Sequence, residues 1–161
     1  MTQDDDLATV AKLVKDARIA MLTTVGEGGA LVSRPMGMQD IDFAGDLWFF
    51  ADEDSHKVHE IEAGSPANAA FSDSTAWVSV SGSAEVVRDL AKITELWGPT
   101  ADAWFPDGPT TPGVVLIALR GETAEYWRAP GGKLTTAFSL VKAKLTGERY
   151  DGGENETVAL P

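Results

Sequence analysis

The sequence predicts a mainly β protein, an antiparallel β-barrel of about six strands with short cover helices. Residues 77–87 give the clearest indication, because small or apolar residues such as Val78, Val80 and Ala84 alternate with polar ones. This alternation is typical of an antiparallel strand with one buried face. The predicted strands and helices do not alternate regularly, and no Gly-x-Gly-x-x-Gly follows a strand. A doubly wound dinucleotide-binding fold is therefore excluded.

Composition limits the classes of function. The 161 residues fit one domain, which we assign to residues 1–147, with a flexible, acidic and glycine-containing tail at 148–161. The net charge of −12 opposes binding to nucleic acid or to an anionic membrane, since both need a basic surface. Cysteine is absent, which excludes disulfides and thiolate catalysis. The amino terminus carries no basic segment followed by an apolar run, so a cytoplasmic location is expected.

The first part of the chain predicts a helix and a hairpin. Apolar residues between Leu7 and Ala17 recur at the three-to-four spacing of an amphipathic helix. Residues 19–25 and 30–38 have the pattern of two strands joined by a glycine-rich turn. In the second strand Arg34 shares a face with Met36 and is an unusual charge in a half-apolar strand. Pro35 cannot donate to a ladder, which predicts an edge strand or a bulge.

Residues 47–61 run from a strand through a polar turn into a helix. The aromatic, apolar run at 47–51 indicates a strand buried on both faces. Asp54 or Ser55 can cap the helix that follows, whose buried side carries Val58 and Ile61.

Ser55, His56 and Lys57 fall in the first turn of that helix, where unpaired backbone N–H groups accumulate. A hydroxyl, an imidazole and an ammonium at this position suit a phosphate, and the aromatic residues just upstream suit a flat ring attached to it. The alternative is an ordinary capped helix with a solvated lysine. A second alternative is a metal site that joins His56 and His59 to Glu60 or Glu62.

The second half of the chain predicts more strands. Residues 67–71 and 77–87 are strands, Leu90, Ile93 and Leu96 indicate a short helix, and residues 98–112 form a long loop that holds Trp104. The apolar run at 114–119 predicts a central strand, which residues 121–128 continue or return. A final helix is predicted from the spacing of three apolar residues, Phe138, Val141 and Leu145.

The order of these pieces resembles the pyridoxamine 5′-phosphate oxidase-like FMN-binding split barrels, and within them the general stress protein 26 group. The likeness covers about residues 5–147 and depends on a strand pair ending in Ser-Arg-Pro-Met, a strand reading Trp-Phe-Phe-Ala and a helix start reading Ser-His-Lys. It implies a six-stranded antiparallel split β-barrel that binds FMN, with the related deazaflavin F420 as a less favoured cofactor. The cofactor-binding residues that it implies are Ser33, Arg34, Met36, Phe49, Phe50, Ala51, Ser55, His56, Lys57, Trp104 and Trp127.

Simpler roles for several of these residues stay open. Arg34 can form a salt bridge on the strand face instead of lying near the flavin, and Met36, Phe49 and Phe50 can be core residues. No catalytic residue is assigned, because no side chain presents itself as a nucleophile or a general acid or base with a clear partner.

The resemblance implies an FMN-dependent oxidoreductase of unassigned substrate. It does not extend to pyridoxal phosphate synthesis, because Gln39 stands where the oxidases proper carry a lysine and no histidine follows His59 to form their Arg-x-His. The alternative functions are a flavin-binding stress or sensor protein without turnover, and a dimeric scaffold without flavin.

The resemblance also implies a homodimer with two FMN sites at its interface. Trp97, Trp104, Phe105 and Trp127 lie in or beside segments without an obvious core face, and exposed aromatic patches are typical of interfaces. We expect Trp104 or Trp127 of one protomer to approach the flavin held by Lys57 of the other. The alternative is that these aromatics close the core of their own chain.

Overall fold

The computed structural model describes residues 3–39, 42–129, 144 and 153–161. Its helices are α1 (Gln3–Asp16), α2 (His56–Glu62), α3 (Leu90–Leu96) and α4 (Pro99–Trp104). Its strands are β1 (Ile19–Val25), β2 (Leu31–Gly37), β3 (Asp46–Asp52), β4 (Ala67–Ser72), β5 (Ala76–Val87), β6 (Val114–Arg128) and β7 (Glu154–Ala159). No helix within the described ranges is long and apolar enough to cross a membrane.

The strands form one antiparallel sheet in the order β2-β1-β4-β5-β6-β3, with β7 paired to β6. The predicted mainly β class is confirmed, although the sheet has seven strands and the ladders of the described residues do not close it into a barrel. Strand β2 is an edge, as Pro35 predicts, because an edge strand needs no donor on its outer side.

The main core lies between the inner face of the sheet and two helices. Val10 and Val14 of α1 and Val58 and Ile61 of α2 are buried in it, so the apolar periodicity of both helices is confirmed. Strand β3 is covered on both faces, as predicted. Its residues at 47, 49 and 51 face the main core, whereas those at 48 and 50 pack against a smaller cluster under α3.

Strand β6 continues through residues 121–128 and does not return, so it is 15 residues long. Residues 114–120 of β6 pair with β3, and residues 123–128 pair with β7. The change of partner falls at Gly121, which lies opposite Gly82 of β5. A side chain at Gly82 would place its Cβ 1.8 Å from the carbonyl oxygen of Arg120, and one at Gly121 would meet the carbonyl oxygen of Gly45 at 2.4 Å. The two glycines therefore permit the close approach of backbone at the register shift between β5 and β6.

Two predictions about irregular segments are wrong where the structure describes them. The loop predicted at 98–112 contains helix α4, with Gly98 as its N-cap residue, Pro99 in its first turn and Asp102 near its amino end, which are ordinary signals of a helix start. The tail predicted at 148–161 contains β7, which pairs with β6 from Thr123 to Arg128. The final helix predicted around 138–145 lies outside the described residues, apart from residue 144.

Strand β7 lacks a strong sequence signal because it is polar. Of its side chains only Val158 is buried, and that residue joins the main core. An edge strand held by backbone hydrogen bonds leaves its other side chains in water, so the alternation of apolar residues that marks a half-buried strand is missing.

Candidate functional site

A cavity of about 520 Å³ lies between β2, the end of β3, the start of α2 and helix α4. Its volume is within the range of roughly 300 to 1,000 Å³ that is usual for small-molecule sites. It brings together six of the predicted cofactor-binding residues, namely Arg34, Met36, Phe50, Ala51, Lys57 and Trp104. The other residues of its wall are Pro35, Gly37, Gln39, Asp52, Thr100, Ala101 and Phe105.

Helix α4 can close over β2 because Gly37 has no side chain. A Cβ at Gly37 would lie 2.8 Å from Cγ2 of Thr100, so a larger residue would push α4 away from the strand. The cavity wall therefore combines a strand edge and a helix that are more than sixty residues apart in sequence.

Lys57 is the second residue of α2 and is half-buried at the cavity wall. Burial of the ammonium lowers the pKa of Lys57, and the positive charge of Arg34 lowers it further, whereas Asp52 and Glu60 act in the opposite direction. Within the described residues Lys57 makes no hydrogen bond or salt bridge to a protein acceptor. Its charge is therefore available to an anion bound in the cavity.

Arg34 is both a wall residue and a salt-bridge partner. Its Nη2 donates to Oε2 of Glu60 at 3.1 Å, and its Nη1 donates to the hydroxyl of Thr24. The Thr24 hydroxyl in turn donates to the same Oε2 of Glu60. The strand-face salt bridge considered for Arg34 is thus present, and it coexists with a place in the cavity wall.

The turn before α2 is shaped by Asp52, although Asp54 or Ser55 was expected to cap the helix. Ser55 is the N-cap residue, but its hydroxyl donates to the carbonyl oxygen of Asp52 at 2.6 Å and accepts nothing from the helix. Oδ1 of Asp52 accepts the backbone N–H of Asp54 at 2.8 Å. This short-range turn leaves the first N–H groups of α2 without a side-chain cap.

Aromatic rings form the other side of the site. Phe50 packs edge-on against Trp97 with 5.1 Å between ring centroids, and Trp97 contacts Phe105 at 6.3 Å. The indole N–H of Trp97 donates to Asp102 at 2.7 Å, which joins α4 to the end of α3. Trp97 and Phe105 therefore pack against the smaller core of their own chain, which agrees with the alternative stated for these aromatic residues. Trp104 is instead 76% exposed at the cavity.

The remaining predicted residues lie elsewhere. Ser33 is exposed on the opposite face of β2, 2.6 Å from the hydroxyl of Thr23, and Phe49 is fully buried in the main core. Ser55 and His56 adjoin the cavity at the start of α2 but are not part of its wall. Trp127 lies at the far end of β6, opposite Trp77 of β5.

Glu60 and Thr24 support the site from behind its wall, and the sequence pattern did not indicate this role for either residue. The sequence pattern offers Glu60 only as a metal ligand beside His56 and His59, whereas in the structure its carboxylate accepts hydrogen bonds from Arg34 and Thr24. Its position three residues after Lys57 places both side chains on neighbouring parts of the α2 surface, which is the signal that could have found it. Gln39 is a buried neutral residue of the wall.

The residues present fit a phosphorylated flat ring. Two cations, Arg34 and Lys57, belong to the wall, and an anion bound there would accept charge-assisted hydrogen bonds from them. Phe50, Phe105 and Trp104 supply apolar, planar surface within the same cavity.

A family model described as pyridoxamine 5′-phosphate oxidase like matches residues 5–151. Protein bli-3 of Neurospora crassa is 30% identical to this chain over 157 residues, which cover 90% of this chain and 75% of that protein.

Solved structures agree with this match. A crystal structure of a general stress protein 26 from Jannaschia sp. CCS1 has 29% identity and a TM-score of 0.76, and the alignment covers 98% of this chain and 99% of the other. The general stress FMN/FAD binding protein of Xanthomonas citri has 30% identity and a TM-score of 0.67 over 77% of this chain and 89% of its own. The chain therefore belongs to the pyridoxamine 5′-phosphate oxidase like family.

Proposed function

We propose that this protein is an FMN-binding general stress protein that acts as a flavin-dependent oxidoreductase. The observation that carries the proposal is the cavity in which Lys57 and Arg34 lie beside Phe50, Phe105 and Trp104. The similarity to the Xanthomonas citri protein, whose name specifies FMN/FAD binding, supports a flavin as the ligand. A cytoplasmic location stays a prediction from the sequence.

Each part of the cavity has a distinct role in this proposal. Lys57, with Arg34 beside it, holds the phosphate, and Ser55 and His56 flank it at the start of α2. Met36, Phe50 and Trp104 contact the ring system. The bound flavin supplies the electron-transfer chemistry, while these residues bind it, orient it and limit the access of water.

Pyridoxal phosphate synthesis is not part of the proposal. Gln39 lies in the cavity wall, and a neutral amide gives a second phosphate no positive charge there. The substrate is therefore a small molecule whose binding does not require that additional cation.

A spectroscopic titration tests flavin binding. We expect the purified protein to show the visible absorbance band of flavin, or to gain it with protein-bound character after incubation with excess FMN. A colourless protein that gains no bound flavin would refute the function. Chromatography of the extracted pigment separates FMN from F420, because the two chromophores differ in absorbance and mass.

Turnover needs a separate experiment. Stopped-flow reduction of the FMN-loaded protein by NADH or NADPH, followed by addition of an electron acceptor, measures whether electrons enter and leave the flavin. Rapid reduction and reoxidation would support an oxidoreductase. A flavin that stays oxidised with both nucleotides would favour the alternative of a flavin-binding stress or sensor protein without turnover.

The proposal includes a homodimer, and the position of FMN at its interface stays a prediction from the resemblance. Large apolar side chains are exposed along the outer face of the sheet, namely Ile19 at 60%, Met21 at 43%, Trp77 at 46% and Trp127 at 37%. The strand register places these residues on the same face, since Met21 is opposite Ala70 and Trp77 is opposite Trp127. A second copy of the same face would remove this apolar surface from water.

Light scattering tests the dimer. We expect twice the chain mass of 17.1 kDa at micromolar concentration, and a monomer after Met21→Glu, because a charge in a dry interface is costly. Leu90→Glu is the matched control, since Leu90 is also exposed but lies on α3. A wild-type mass of one chain would refute the dimer and leave flavin binding as a separate question.

A further inference from the structure

Glu60 lies behind the cavity wall and makes two contacts with one oxygen. Its Oε2 accepts from Nη2 of Arg34 at 3.1 Å and from the hydroxyl of Thr24. Thr24 is 1% exposed, and the side chains of Arg34 and Glu60 are 18% and 16% exposed. Because this pair has little contact with water, its electrostatic attraction is screened less than that of a surface ion pair.

The three groups form a closed hydrogen-bonded triangle. Nη1 of Arg34 donates to the Thr24 hydroxyl, which donates to Glu60, which accepts from the other nitrogen of the same guanidinium. Nη1 also donates to the backbone oxygen of Leu22 at 3.4 Å. A planar guanidinium fixed at both terminal nitrogens has little freedom to rotate.

The chain leaves room for the second oxygen of this carboxylate. A Cβ at Gly26 would lie 3.0 Å from Oε1 of Glu60. The backbone at Gly26 has an ordinary extended conformation, with φ −87°, which any residue can adopt. Glycine is therefore needed here because a side chain would crowd the carboxylate of Glu60, and not for its backbone conformation.

Glu60 itself is not part of the cavity wall, whereas Arg34 is. We propose that Glu60 is a positioning residue, which holds the guanidinium of Arg34 in the orientation that binds the phosphate of FMN. This inference rests on the FMN binding proposed above. Thr24 is the second support of the same guanidinium, and the two together exclude the rotamers in which Arg34 would turn towards solvent.

A double-mutant cycle tests the inference. Glu60→Ala is expected to weaken FMN binding by about tenfold or more, the loss that accompanies a misplaced charge-assisted hydrogen bond, with little change in riboflavin binding. Arg34→Ala is expected to show a similar loss. In the double variant the two losses should not add, because Glu60 acts through Arg34. Glu60→Gln, which keeps an acceptor for Arg34 and Thr24, should recover part of the affinity.

Glu62→Ala is the matched control. Glu62 is also a glutamate of α2 with an arginine partner, at 2.7 Å from Nη2 of Arg88, but that pair lies outside the cavity. Its replacement should leave the affinities for FMN and riboflavin unchanged. If Glu60→Ala does not fold, Glu60→Asp replaces it in the cycle, since it keeps the charge but draws the carboxylate back from Arg34.

Two results would overturn the inference. Equal losses of FMN and riboflavin affinity in Glu60→Ala would show a general structural role, and additive losses in the double variant would show that Glu60 does not act through Arg34. Both results presuppose a wild-type protein that binds FMN. A wild-type protein that binds no FMN would instead refute the proposed function, and the inference with it.

Discussion

Lys57 and Arg34 come from different elements, α2 and β2, and line the same cavity closely enough for the charge of Arg34 to lower the pKa of Lys57. Two like charges beside each other oppose folding unless they are compensated or used. Asp52 and Glu60 compensate them in part, and a bound anion would complete the compensation.

Lys57→Met should weaken FMN binding by about 1.5 to 3 kcal/mol, the range for a hydrogen bond between charged groups. Riboflavin binding should change little, because riboflavin lacks the phosphate. The pKa of Lys57 is lowered from its ordinary value of 10.5, so the preference of the wild type for FMN over riboflavin should decline with rising pH before that value is reached. Titrations of both ligands across pH measure this, and equal losses for both ligands in Lys57→Met would contradict the phosphate assignment.

The same substitution should stabilise the protein without ligand at neutral pH. The folded state disfavours the charged ammonium, because burial and Arg34 lower the pKa of Lys57. This penalty is fully present below the folded pKa, and it is relieved as the pH rises from there towards 10.5, since the unfolded chain then binds more protons than the folded one. Thermal unfolding across pH should show a rise in wild-type stability over this window that Lys57→Met lacks. A less stable Lys57→Met protein would contradict the argument.

Trp104→Ala should leave stability unchanged within about 0.5 kcal/mol, because the side chain is 76% exposed. It should weaken FMN and riboflavin alike, by about 0.5 to 1.5 kcal/mol, the range for an aromatic contact beyond its buried area. The equal effect on both ligands distinguishes a ring contact from the phosphate contact of Lys57. Flavin fluorescence titrations measure it, with Leu90→Ala as an exposed control outside the cavity. Loss of FMN binding alone would place Trp104 at the phosphate instead.

Tyr126 predicts a loss of stability at alkaline pH. Its ring is fully buried, its hydroxyl lies 3.2 Å from Asp6, and burial raises the pKa of Tyr126 from 10.0 to about 12. Between these two values the folded state holds a proton that the unfolded state has lost, so this contribution to stability falls as the pH rises. Tyr126→Phe should lack that fall and lose only about 1 kcal/mol at neutral pH. Denaturant unfolding at pH 8 to 12 measures both effects, and an unchanged alkaline profile in Tyr126→Phe would contradict the assignment.

Gly82→Ala should destabilise the protein by several kcal/mol, about 4 or more, or prevent folding, because its Cβ would meet a backbone oxygen of β6 at 1.8 Å. The three atoms nearest to this Cβ are all backbone atoms of β6, so no flexible side chain can give way. Gly98→Ala is the control, since its Cβ would meet nothing within 4 Å, and its expected cost is about 1 kcal/mol or less from the weaker N-cap. Circular dichroism melts compare the two, and similar stabilities would contradict the close backbone contact at Gly82.

Much of the fold follows from local periodicity. The alternation in residues 77–87 and the apolar runs of β3 and β6 predict their strands, and Pro35 predicts the edge position of β2. The Gly-Pro pair at the start of α4 is a signal for a helix, but the aromatic residues at its end, among Gly, Pro and Asp, predicted a loop instead. Strand β7 had almost none, because a polar edge strand is held by its backbone and needs no apolar pattern.

The sequence by itself determined the strand-turn-helix at 47–61, in which Phe50, Ala51 and Lys57 are neighbours through the short reach of the chain. Only the tertiary structure decided that Trp104 joins them and that Trp127 does not, since this depends on the packing of α4 against β2 and on the length of β6. It also decided that Arg34 pairs with Glu60, 26 residues away. Backbone geometry sets the spacing of residues within one element, but the partner of a buried charge is chosen by how distant elements pack, which no short stretch of sequence contains.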